Sequence, residues 1–181
     1  MSQLKVNSIV PVGGLPSGAA AGGIIQTVVG THSTQVSQAS PSSEGDIQTT
    51  ITDTGLTASI TPSSNSSKIL VVVHQYYGFD GDNDIQNQYN FVVRDSSNNI
   101  LDGDIGTGTE GTNRYKSLKA FYMFYHTAFV HSPSTTSSTT YKVQVQGNNG
   151  RDTLVNRTYA DDDEDDTPRV ASSITVMEVA A

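Results

Sequence analysis

Four histidines, three closely spaced aspartates, an acidic run and a set of tyrosines are the side chains of this sequence whose types suit chemistry. His32, His74, His126 and His131 are the candidates for a proton-transferring base near neutral pH. No Ser-His-Asp, Cys-His or His-x-x-x-His spacing accompanies them. Cysteine is absent, which removes a thiolate nucleophile, a disulfide framework and a zinc knuckle. Gly106-Thr107-Gly108-Thr109-Glu110-Gly111 has the letters of a dinucleotide fingerprint, but no helical pattern follows it, so it reads as a loop. These residues point away from an enzyme and call for no cofactor.

Binding chemistry has three candidates. Asp80, Asp82 and Asp84 alternate in a turn, a pattern that hard cations such as Ca²⁺ favour. A full calcium loop needs Gly at its sixth position and Glu at its twelfth; here those are Ile85 and Phe91, so a solvated turn is the competing reading. Asp161 to Asp166 is an unbroken acidic run whose like charges repel, the usual form of a solvated loop tip. The aromatic set includes Tyr76, Tyr77 and Tyr115, whose rings offer an apolar face and a hydroxyl, the combination that suits a saccharide or a protein partner. These three are the candidate receptor-binding residues, against the competing reading that about half of the aromatic set fills the core.

The chain has 181 residues, enough for one domain and a short appendage. Charged residues make up 15%, well below the ordinary share of about 25%. There are 22 Ser and 21 Thr, so the polarity comes from small hydroxyls. Thr, Val, Ser and Gly dominate while Leu, Lys and Glu are scarce, which disfavours a helical bundle and favours strands. Net charge is -8, and the acidic run carries most of it; no basic stripe exists to meet nucleic acid. The most apolar stretch, Leu118 to His131, falls short of the roughly 20 residues of a spanning helix, and the first residues lack the pattern of a secretion signal. The expectation is a chain made in a cytoplasm and not inserted in a membrane.

The elements that position the candidates read as strands. Ile24 to Val29, Leu56 to Ile60, Tyr89 to Arg94, Tyr141 to Val145 and Ser172 to Val179 alternate or are β-branched, and Asp53-Thr54-Gly55 and Asp95 to Asn99 read as turns. Ile69 to Val73 is apolar throughout, so both of its faces need cover, as a central strand or a strand at a subunit contact. The pattern predicts an all-β, antiparallel β-sandwich of jelly-roll-like topology over residues 23–181. Residues 1–22 differ: Gly and Pro forbid a stable helix, and Leu4, Val6, Ile9, Val10 and Val12 are too few for a core. This segment reads as an extended arm that docks on something else.

Four blocks carry a resemblance: Met1-Ser2-Gln3-Leu4-Lys5-Val6-Asn7-Ser8-Ile9, Gly55 through Val71, Ser132 through Val145, and Ala171 through Ala181. Together they resemble a family of small virion fibre proteins of aquatic tailed phages, cyanophages especially. The resemblance implies a bacteriophage virion structural protein, a tail fibre or fibre-like appendage assembled in the host cytoplasm. It implies a homotrimer held to other virion proteins, of tail or capsid, through its N-terminal arm. Three copies of polar and aromatic loops would then gain avidity for a host-surface polysaccharide. The alternatives are a capsid head decoration or cement protein and a free carbohydrate-binding module.

Overall fold

The computed structural model describes residues 22–38, 51–79, 86–103, 114–116, 123–147, 153–158 and 170–181. Among them the strands are β1 (Ile24–His32), β2 (Val36–Gln38), β3 (Thr52–Ile60), β4 (Lys68–Phe79), β5 (Gln86–Arg94), β6 (Ile100–Gly103), β7 (Arg114–Lys116), β8 (Met123–His131), β9 (Thr139–Gly147), β10 (Thr153–Val155) and β11 (Ser172–Val179). The N-terminal arm residues Leu4, Val6, Ile9, Val10 and Val12 lie outside the described residues, as do Asp80, Asp82 and Asp84 and the acidic run.

The strands form two sheets with antiparallel pairing throughout. One runs β1-β11-β4-β8, with β10 and then β2 continuing beside the far end of β4. The other runs β3-β9-β5-β6, and β7 joins β5 at Gln86 to Gln88. Leaving aside the three-residue strands β2, β7 and β10, the sheets take the chain's strands in the orders 1-8-3-6 and 2-7-4-5. That interleaving is a jelly roll, so the expected fold class is the observed one.

Alternation decides which side of each strand faces the other sheet. Leu56 and Ile60 on β3, Ile69, Val71 and Val73 on β4, Phe91 and Val93 on β5, Tyr141, Val143 and Val145 on β9, and Ile174 and Val176 on β11 form the core. Burial of each such aliphatic or aromatic side chain contributes about 1.5–3 kcal/mol before entropy is counted. Gly30 marks the closest approach of the two sheets: a Cβ there would sit 1.9 Å from the Thr57 carbonyl oxygen.

Two local features differ from the sequence reading. Asp53-Thr54-Gly55 is not a turn; it lies inside β3, where the register with β9 shifts between Asp53 and Thr57. Gly55 takes a left-handed φ of 86° at this bulge, and the Thr54 hydroxyl donates to the Val143 carbonyl at 3.0 Å and accepts from the Leu56 amide. The segment from Thr34, whose polar residues and Pro41 read as a loop in the sequence, contains β2, which pairs with β10. Asn156, just past β10, ties that corner together. Its side-chain amide donates to the His32 and Thr34 carbonyls at 2.9 and 3.1 Å, and its carbonyl accepts from the Ser172 hydroxyl.

Candidate functional site

A polar cleft of about 460 Å³ opens at one end of the sandwich, between the β5–β6 turn and the β8–β9 loop. That volume lies within the range of small-molecule sites. The turn is Asp95-Ser96-Ser97-Asn98-Asn99, and a buried carboxylate organises it. Asp95 is 8% exposed. Its oxygens accept the Ser97 and Asn99 amides at 2.8 and 2.9 Å and the Asn99 side-chain amide at 2.8 Å. Burial alone would raise the Asp95 pKa. The bonds from Asn99 and Ser97, with a smaller contribution from the charge on His131, outweigh it and hold the group below the usual carboxylate value. Asn98 has a φ of 64°, the left-handed geometry that asparagine tolerates in turns.

The opposite wall comes from the strand end at His131 and from Pro133, Thr135, Ser137, Ser138 and Thr139. His131 Nδ1 lies 2.9 Å from the Tyr141 hydroxyl, and the two rings meet edge to face at 5.7 Å. Burial pushes the His131 pKa down, partly countered by the Asp95 carboxylate. Burial and the same carboxylate push the Tyr141 phenol up, so it keeps its proton. The two walls are stitched together where the Thr140 amide donates to Ser96 Oγ at 2.7 Å.

The side chains that line this cleft can donate and accept hydrogen bonds. The cleft presents serine and threonine hydroxyls, the Asn99 amide and a carboxylate, with the His131 and Pro133 rings as flatter contact surfaces. His131 Nδ1 meets the hydroxyl of Tyr141, a protonated phenol held in the core, which is a positioning contact and not a nucleophile–base pair. Among the described residues, no group of three or more His, Asp or Glu side chains is placed to hold a metal ion.

The predicted receptor residues do not gather at this cleft. Tyr77 is 2% exposed and packs on Phe91 with ring centres 4.7 Å apart, so the structure corrects its assignment: its ring belongs to the core and is not offered to a ligand. Tyr76 points the other way, to the outer face of the β1-β11-β4-β8 sheet, where it stands opposite Phe124. Tyr115 lies on β7, its backbone opposite Asn87. The Asp95–Asn99 turn reads as a turn from residues alone, and Ser132-Pro133-Ser134 reads as a loop, but nothing local brings the two together. That meeting depends on β5 and β9 pairing in a register that sets Arg94 opposite Lys142.

No protein-family model matches the chain, and no curated protein does. Among solved structures, the chain is similar to one from a "Structure of infectious bursal disease virus Gx strain", at 9% identity and a TM-score of 0.41. The match covers 95% of this chain and 37% of that one. The jelly-roll assignment rests on the strand order and takes nothing from this likeness.

Proposed function

We propose that the chain is a non-enzymatic structural protein of a bacteriophage virion, the exterior part of a tail fibre or fibre-like appendage that contacts a host-surface polysaccharide. It works as a homotrimer joined to other virion proteins by the N-terminal segment that carries Leu4, Val6, Ile9, Val10 and Val12. The observation that carries the contact role is the hydroxyl-lined cleft between Asp95 to Asn99 and His131 to Thr139. A neutral sugar ring is met by such a set of donors and acceptors, and three copies multiply weak single contacts. Jelly rolls serve both virion and lectin domains, so the scaffold is compatible with the role without fixing it. The virion setting is supported by the resemblance of the four sequence blocks.

Immunogold labelling of intact particles with antibody to the purified chain tests this reading. Label at the tail is expected. Label over the head would replace the appendage with a decoration or cement protein, and particles without label would overturn the virion role.

A further inference from the structure

The outer side of the β1-β11-β4-β8 sheet is nearly uncharged, with Lys68 at its rim. Val29, Phe124 and Val130 there are 57%, 64% and 59% exposed, and Leu70, Val72 and Met177 lie between them. Leu70 stands opposite Val130, Val72 opposite Ala128, His74 opposite His126 and Tyr76 opposite Phe124. The other described side chains on this side are serines, threonines and aliphatics until Lys68 ends the β4 row. The second sheet is built differently: its outer side carries Asp53 and Lys142, with their charged atoms 4.0 Å apart, and the Gln144 amide donating to Asp53 at 2.6 Å.

We propose that this face is the contact between copies of the chain, three such faces turning inward around a common axis. The inference rests on the homotrimer reading and names the surface that makes it. Four strands about 4.8 Å apart and about eight residues long, at roughly 3.3 Å per residue, span about 500 Å² in plan. Monomers seldom leave a larger apolar patch open. Apart from Lys68 at its rim, the outward rows of these strands carry no charged side chain, so sister faces bury no ion over the rest of the contact. The contact also explains why Ile69 to Val73 is apolar on both sides, since the inward row fills the sandwich and the outward row meets a sister copy.

The His74 and His126 rings stand side by side on this face, in the row of Ser173 and Thr31, with centres 4.2 Å apart, and His126 Nδ1 sits 3.0 Å from the Val73 carbonyl oxygen. Across from His74 on β11 stands Ser173, and Val72 and Tyr76 flank it along β4. Among the described residues, no carboxylate shares the face, and Lys68 is its only cation. A sister face adds the same groups.

Sedimentation velocity of the full chain at micromolar concentration, with circular dichroism as the check on folding, tests this. The wild type is expected as a trimer at pH 8. Val72→Glu and Val130→Glu are expected as monomers with an unchanged β spectrum, while Ser59→Glu on the other sheet stays trimeric. Because the chain has no cysteine, Ala128→Cys adds a single thiol. Mild oxidation is expected to link Ala128→Cys chains and not Ser59→Cys chains. A wild type that stays single would overturn both the trimer reading and this face. A trimer that survives both glutamates and gives no link through Ala128→Cys would overturn the face alone.

Discussion

The Glu178 carboxylate, fully buried near the end of β11, accepts both the backbone amide and the hydroxyl of Ser63, at 2.8 and 2.6 Å. Ser67 Oγ and Gln26 Nε2 complete its shell at 2.7 and 2.6 Å. One carboxylate thus fastens the β3–β4 loop and β1 to the last strand. This gives a physical reason for serines in Thr61-Pro62-Ser63-Ser64-Asn65-Ser66-Ser67. Glu178→Gln keeps the shape and replaces an acceptor with donors that face donors. The expected loss is about 2–4 kcal/mol of unfolding free energy, read by urea denaturation at pH 7.

The same group makes stability depend on pH. Burial pushes the Glu178 pKa up, but the bonds from Ser63, Ser67 and Gln26 outweigh it, and the folded-state value lies below the usual 4.5. A depressed carboxylate contributes its stability fully above the unfolded value and loses it as pH falls through the folded one. Urea midpoints of the wild type should therefore hold from pH 7 to about 5 and fall below that. The difference between wild type and Glu178→Gln should shrink over the acid range.

Gly30→Val tests the approach of the two sheets. Thr57 cannot retreat without dragging β3, so at least about 3 kcal/mol should be lost, read as a fall in the thermal midpoint or as failure to fold. Thr31→Val, one residue on and outward-facing, should leave the midpoint within a few degrees. A tolerant Gly30→Val would contradict the packing described for β1 and β3.

Ser138→Trp fills the polar cleft from an exposed loop position without touching the core. The thermal midpoint should stay unchanged while retention on immobilised host polysaccharide drops at least tenfold. Equal retention would move the contact surface away from the Asp95–His131 end. Asp95→Ala is the structural counterpart: it strips the turn of its acceptor and should cost about 1–3 kcal/mol as well as binding.

Strict alternation made β9 and β11 legible from residues alone, because Tyr141, Val143 and Val145, and Ile174 and Val176, can face only one way. Gly55 misled for a physical reason: a glycine after Asp-Thr suits a turn and a bulge equally, and only the register with β9 separates them. Tyr76 and Tyr77 show a different limit. The β4 run is apolar at both parities, so nothing local says which tyrosine faces the core. That is settled by the β8 and β11 partners. Short β2 exists through its pairing with β10 across more than a hundred residues, which no window of sequence contains. The cleft is of the same kind, since its two walls are separate loops joined only in the fold.

The most direct measurement is electron cryomicroscopy density of the whole virion, averaged over the site where the chain sits. The account predicts jelly-roll densities in threefold sets projecting from the tail, with Val72 and Val130 turned to the axis and the Asp95–His131 end pointing outward. Single copies with that sheet bare to solvent, or particles in which the fold is nowhere found, would contradict it.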